Sequence, residues 1–179
     1  MDHARAFEGE WALETDRLLL RSRRVSDAAV SRELWAERDP RVPPHRRISS
    51  DGHPTVEDIE DRIRLDDRHP FPGTLVAELK SSGQVIGYCG LIPNTYGQPD
   101  EPELAYELLR SVWGRGYATE ASQAVLQRAR TMGYPRLWAT VRDWNAASRR
   151  VLAKLGFVES GRVEPAETHG DLLFTSKML

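Results

Sequence analysis

The sequence predicts an α+β fold: a mixed, mostly antiparallel central sheet of roughly six or seven strands, flanked by about four helices. Three observations lead there. Three short apolar runs (residues 74–79, 85–92 and 103–109) follow one another with only turns or a short loop between them, so they pair as antiparallel neighbours. The third run leads through the glycine-rich string Trp113-Gly114-Arg115-Gly116-Tyr117-Ala118-Thr119-Glu120-Ala121 into a segment whose Ala118, Ala121, Val125, Ala129 and Met132 recur at helical spacing. Beyond Gly133, strand-like and helix-like stretches alternate. A chain of 179 residues, 40% hydrophobic, can bury one substantial core, so a single domain over residues 1–179 is expected, with the polar residues 1–13 as a loose arm.

Taken in order, residues 15–21 with Leu18-Leu19-Leu20 read as a first strand bounded by charge. Ser26 or Asp27 is placed to cap a helix through Ala28, Val30, Leu34 and Trp35 that ends before Pro40. Residues 39–54 hold Pro40, Pro43, Pro44, Gly52 and Pro54, so they form a loop, because proline removes backbone donors and fixes φ. Thr55 and Asp58 make a capping pair for a second helix through Val56, Ile59, Ile63 and Leu65, which Pro70, Pro72 and Gly73 stop. In the strand at 103–109, alternation sets Glu103, Ala105 and Glu107 on one face and Leu104, Tyr106 and Leu108 on the other. The helix after the glycine string closes at Gly133 with Pro135 beyond it. A strand at 137–141 follows, and Asn145 caps a last helix with Ala147, Val151, Leu152 and Leu155 on one face and Gly156 at its end. Residues 157–158 and 172–175 supply two final strands.

Composition excludes several functions. A net charge of -2 gives no bulk attraction to nucleic acid, and the pairs Arg23-Arg24 and Arg46-Arg47 are too short to change that. One cysteine, Cys89, excludes an internal disulfide and a thiolate zinc cluster, and the five histidines lack ligand-like spacing, so no metal is expected. No apolar run is long enough for a membrane span and charge interrupts the amino terminus, which together predict a cytoplasmic protein with no membrane partner.

The glycine string has a chemical use. The first four N–H groups of a helix lack intrahelical partners and, with the helix dipole behind them, attract anions, most often phosphate. Gly114 and Gly116 allow close approach, although two glycines can also make a tight turn and nothing more. A Walker loop would need Gly-Lys-Ser/Thr, and a dinucleotide fingerprint a further glycine or alanine where Thr119 stands; neither template fits. The string instead resembles the pyrophosphate loop of the GNAT acetyltransferases, usually Gln/Arg-x-x-Gly-x-Gly/Ala, with Trp113 first, Gly116 fourth and Ala118 sixth; the aromatic at the first position departs from that pattern. Gly-x-Gly-Tyr-Ala-Thr-Glu-Ala is similar to the branch that acetylates ribosomal-protein N-terminal alanine and serine. Thr15, Arg17, Leu18, Leu20 and Arg21 resemble that branch's opening strand, and Asn145-Ala146-Ala147-Ser148 with Lys154-Leu155-Gly156-Phe157 resembles its Asn-x-x-Ser helix and Lys-Leu-Gly-Phe end.

The resemblance implies a sheet splayed between the strand before the glycine loop and the strand after the helix, with acetyl-CoA in the opening and no metal. It implies that the amides of Gly114, Arg115, Gly116, Tyr117, Ala118 and Thr119 grip the diphosphate, that the Arg115 side chain adds a charge or simply faces water, that backbone groups of Leu108 and Leu109 meet the pantetheine arm, and that Asn145 contacts the cofactor as well as capping its helix. Glu103 stands where several members hold a general base, which partial burial would tune; the alternative is a strand carboxylate paired with an arginine, and Glu107 shares its face. Many members protonate the departing thiolate from a tyrosine where this chain has Leu152; the resemblance to the ribosomal-protein branch makes Ser148, one turn earlier, the best remaining hydroxyl, unless it only bonds backbone, with Tyr117 as a distant second choice. Trp35, Tyr88, Tyr96 and Trp144 could line an acceptor pocket or belong to the core, and residues 39–54 could wall it. The expected partners are acetyl-CoA and an amine, either a protein N-terminus or a small amine such as an antibiotic or polyamine, met by a monomer or homodimer. The rival from another class is a non-catalytic acyl-CoA-binding module, which the missing tyrosine favours and Glu103 with Ser148 disfavours.

Overall fold

A computed structural model describes residues 12–66 and 73–179. The elements are β1 (Ala12–Glu14), β2 (Leu18–Arg21), α1 (Ala28–Glu37), α2 (Val56–Asp66), β3 (Thr74–Leu79), β4 (Val85–Ile92), β5 (Glu103–Leu108), α3 (Tyr117–Thr131), β6 (Arg136–Arg142), α4 (Ala146–Leu155), β7 (Val158–Glu164) and β8 (Leu172–Met178). The expected arm at 1–11 and the stops at Pro70 and Pro72 lie outside the described residues. Residues 12 and 13, assigned to that arm, instead form β1 along the outer edge of β2, so the sheet has eight strands, not six or seven. The last hairpin also differs: β7 begins at Val158 and runs to Glu164.

The strand order is β1-β2-β3-β4-β5-β6-β8-β7, antiparallel at every junction except β5–β6. That junction decides the architecture. A helix must cross over between parallel strands, and α3 does so, which sets the amino ends of both α3 and α4 at the carboxyl ends of β5 and β6. The two strands share one rung, Glu103 opposite Trp138, where the Trp138 N–H donates to the Pro102 carbonyl at 3.0 Å. A continuing parallel ladder would give the next inward N–H, that of Thr140, to the Leu104 carbonyl. Glu103 Oε1 takes it instead, at 3.0 Å, together with the Thr140 hydroxyl at 2.5 Å. The strands diverge from this point, and the sheet forks as the resemblance implies.

The core lies on the α3/α4 face, where Leu18, Leu20, Ile86, Cys89, Leu91 and Leu137 meet Ala121, Val125 and Ala129 of α3 and Leu152 and Leu155 of α4. Each leucine or isoleucine fully buried there contributes about 1.5–3 kcal/mol. On the other face α1 and α2 pack together through Ala28, Ile59 and Ile63. The expected capping pair of α2 is present: the Asp58 N–H donates to Thr55 Oγ1 at 3.1 Å and the Thr55 N–H to Asp58 Oδ2 at 2.7 Å. Asp27 occupies the cap position of α1 but makes no side-chain cap bond. Its buried carboxylate turns back to accept both terminal nitrogens of Arg21, at 2.8 and 3.0 Å, and the Arg24 N–H at 2.7 Å. The Arg21 Nε donates to Glu78 at 2.7 Å. A charge-assisted, bidentate pair outcompetes a single neutral cap.

Candidate active site

The glycine loop is open. Gly114 and Gly116 take left-handed backbone, with φ of +74° and +83°, and Gly116 is the N-cap of α3 with no side-chain cap bond. The first bond inside the helix runs from the Glu120 N–H to the Gly116 carbonyl at 3.0 Å. The amides of Tyr117, Ala118 and Thr119 therefore have no intrahelical acceptor. A Cβ on Gly114 would meet nothing within 4 Å, and Arg115, exposed, has no ion pair among the described residues.

A network that the opening strand supplies holds the loop. Glu120, one turn into α3, accepts from Thr15 Oγ1 at 2.6 Å, the Arg17 N–H at 2.9 Å and the Arg17 Nε at 2.7 Å. Arg17 also donates to the Arg115 carbonyl at 3.0 Å and lies over the Tyr117 ring, 4.3 Å from its centroid. Burial would push the Glu120 pKa up, but these donors outweigh it and hold the carboxyl below its ordinary value. If the loop holds the CoA diphosphate that the resemblance implies, Glu120→Ala raises the KM for acetyl-CoA about tenfold, the scale of ~1.4 kcal/mol, while kcat changes little. Steady-state kinetics checks this, and an unchanged KM would dismiss the clamp.

Inside the fork the backbone alternates. The Leu109 N–H donates to the Ile86 carbonyl at 2.9 Å, so Leu109 faces β4 and, by antiparallel alternation, Tyr106 and Leu108 turn their amide groups to the opening. The Leu108 carbonyl already accepts from the Trp113 indole N–H at 2.7 Å. Of the two leucines expected to meet a pantetheine arm, only Leu108 presents an N–H to the fork.

Glu103 sits at the closed end, 9% exposed, with Oε1 committed to Thr140. Its Oε2 has no hydrogen bond among the described residues. Glu107 differs: Arg38 grips it bidentately at 2.7 and 2.6 Å, and the Tyr88 hydroxyl adds a bond at 3.2 Å, so it is a paired structural carboxylate. At the open end the Asn145 side chain accepts from the Ser148 N–H at 3.1 Å, which is a helix cap. Ser148 Oγ lies 2.8 Å from the Tyr106 hydroxyl, reaching across from β5. Leu152 is buried. Cys89 is fully buried, 3.6 Å from Ser122, and burial pushes its thiol up to about 12, which rules out a thiolate nucleophile there.

The loop at 39–54 reaches the far side of the sheet. Arg41 lies over the Trp144 ring at 4.2 Å, and its carbonyl meets His169 Nδ1 at 3.0 Å, so this loop and the one before β8 close over the carboxyl end of β6. Trp35 stacks under Arg38 at 4.2 Å, and Tyr96 packs edge-on against Phe174 at 4.8 Å.

A sequence model of the GNAT acetyltransferase domain matches residues 17–158. The chain belongs to the GNAT acetyltransferase family. Relatives agree: an uncharacterised N-acetyltransferase, p20, of Bacillus licheniformis is 30% identical over 160 residues, 87% of this chain and 86% of its own. A ribosomal-protein-S5-alanine acetyltransferase from Vibrio fischeri superposes with a TM-score of 0.72 at 21% identity, covering 94% of this chain and 96% of that one. RimJ of Mycobacterium smegmatis, solved with CoA-disulfide, gives 0.67 at 25% identity over 94% and 86%. The spermidine/spermine N-acetyltransferase SpeG of Vibrio cholerae gives 0.73 at 16% identity over 92% and 95%, a likeness of fold.

This GNAT acetyltransferase thus brings the glycine loop, the fork and the first turn of α4 to one end of a parallel strand pair, and sets Glu103 at the crotch. Sequence reasoning missed three contributors. An acid in the first helical turn is accounted for by the helix dipole alone, so nothing local to Glu120 signals its long-range bonds to Thr15 and Arg17. Thr140 and Tyr106 act across the fork, where only the register of β5 against β6 and α4 brings them to their partners. A hydroxyl on the apolar face of the strand leading to the loop was the one local sign of Tyr106.

Proposed function

We propose that this acetyltransferase, acting as a single domain, transfers an acetyl group from acetyl-CoA to a protein N-terminal α-amine by direct attack on the thioester. The uncapped amides of α3 at the open end of the fork carry the reading, because they offer donors for a diphosphate beside an edge of unpaired strand. Gly114, Arg115, Gly116, Tyr117, Ala118 and Thr119 would hold the diphosphate. The Leu108 N–H would polarise the acetyl carbonyl as charge develops on its oxygen. Glu103 would accept the amine proton through its free oxygen, and Ser148 would donate a hydrogen bond to the departing sulfur.

Charge on the acceptor side supports a monoamine over a polyamine. A polycation calls for several free carboxylates; Glu107 is held by Arg38, and Glu101 by the Trp138 indole at 2.7 Å and by Arg136 at 3.8 Å. A thiol-release assay against peptides with different amino-terminal residues and against small amines tests this. Peptide-dependent release is expected, spermidine-dependent release alone would overturn the acceptor class, and acetyl-CoA binding without release to any amine would leave only a binding module. Glu103→Gln keeps a carbonyl oxygen for Thr140 and removes the base, so kcat should fall by about 10²-fold or more. Turnover unchanged at every pH would show that Glu103 is only the strut of the fork.

A further inference from the structure

Tyr106 and Ser148 stand 42 residues apart in sequence, yet the Tyr106 hydroxyl lies 2.8 Å from Ser148 Oγ and 3.2 Å from the Ser148 carbonyl. One residue belongs to β5 and the other to the first turn of α4, so the contact spans the fork at its open end. The Ser148 backbone is fixed by the Asn145 cap. The position one turn on is Leu152, buried and without a proton to give.

Resting on the reading of Ser148 as donor to the departing sulfur, we infer that Tyr106 is the positioning residue of that step: its single O–H proton is directed at Ser148 Oγ, the nearer of its two acceptors at 2.8 Å against 3.2 Å for the Ser148 carbonyl, and leaves the serine proton free for the thioester sulfur. A hydroxyl pair can point either way. With Ser148 as donor to Tyr106 its proton would turn from the fork; with Tyr106 as donor the serine hydroxyl is polarised toward the leaving group. In the reaction the amine lone pair forms the C–N bond, the electron pair of the C–S bond leaves on sulfur, and the nitrogen's proton passes to Glu103. The thiolate departs under the Ser148 hydrogen bond and takes its proton from solvent, which a thiol of ordinary pKa near ~8.5 does readily. Burial pushes the Tyr106 hydroxyl up to about 12, so the pair keeps both protons through the neutral range.

A buried tyrosine hydroxyl often bonds a neighbour for structural reasons alone. A double-mutant cycle separates the two roles. Wild type, Tyr106→Phe, Ser148→Ala and the double variant are compared for kcat and for KM of acetyl-CoA, with an acceptor that the wild type acetylates. Expected are a fall in kcat of about tenfold for Tyr106→Phe with KM within about twofold, a fall of about 10²-fold for Ser148→Ala, and a double variant no slower than Ser148→Ala. Loss of the same factor from Tyr106→Phe in the Ser148→Ala background would make the tyrosine structural and overturn the inference. So would an unimpaired Tyr106→Phe beside an impaired Ser148→Ala, which leaves the proposed function standing. If Ser148→Ala matches wild type, the donor role of the serine falls and the inference falls with it.

Discussion

Gly116→Arg should weaken acetyl-CoA binding by roughly 100-fold or more, equivalent to about 2.7 kcal/mol. Two effects add. Gly116 holds φ of +83° at the N-cap of α3, backbone that costs an L-residue about 1–2 kcal/mol. The new side chain would also rise from the approach to the uncapped amides, where the Cβ position is already 3.5 Å from Arg17 Nη2, so a second guanidinium would be set beside the first. Gly114→Ala is the control: its φ of +74° gives the same kind of strain, but its Cβ enters open space, and the loss should stay within about tenfold. Calorimetric titration with acetyl-CoA, alongside circular dichroism to confirm folding, reads both. Wild-type affinity in Gly116→Arg would refute the anion site.

Arg21→Ala should destabilise the fold by about 3–5 kcal/mol, because removing one member of a buried pair strands the other charge. Asp27 is 4% exposed and Arg21 only 7%, so little water is available to replace the lost guanidinium. Glu78 loses a donor in the same change. The sign of the pH dependence follows from Asp27. Burial would raise its pKa, but the hydrogen bonds from Arg21 and from the Arg24 N–H outweigh burial and hold it below the ordinary carboxyl value. The stability it contributes is therefore present above the unfolded pKa near ~3.9 and is lost as pH falls through the folded value. Urea unfolding at pH 7 and at about pH 3 should show a gap between wild type and Arg21→Ala that narrows in acid. A loss under ~1 kcal/mol at pH 7 would mean the cluster is solvated.

Much of this was legible from the chain because local rules agreed with the fold. The Thr55/Asp58 capping pair, Asn145 ahead of Ser148 and the left-handed Gly156 are all decided within four residues, and each element they bound is where expected. Elements without such signals were mis-drawn. β1 is three residues on an open edge with no buried side chain, and β7 is exposed along its whole length, with an irregular register between Glu159 and Val163 that breaks alternation. In the candidate site the glycine loop, Glu103 and Ser148 could be read off the chain, whereas their long-range partners Arg17, Thr140 and Tyr106 could not. Asp27 reads as a cap until Arg21 is seen beneath it. Glu107 reads as a possible base until Arg38, the C-cap of α1, closes on it with two nitrogens. Leu109 and Leu108 are indistinguishable as letters; only the register against Ile86 turns one away from the opening.

The lone rung between Glu103 and Trp138 has a mechanical corollary. Strands β1 to β5 and strands β6, β8 and β7 are hinged at one crossbar, with a carboxylate wedged into the joint. An acyl donor lying between them would act as a splint, supplying hydrogen bonds that neither leaf can give the other. Amides along the two facing edges, Leu108 foremost, should then exchange with deuterium more slowly once that splint is in place.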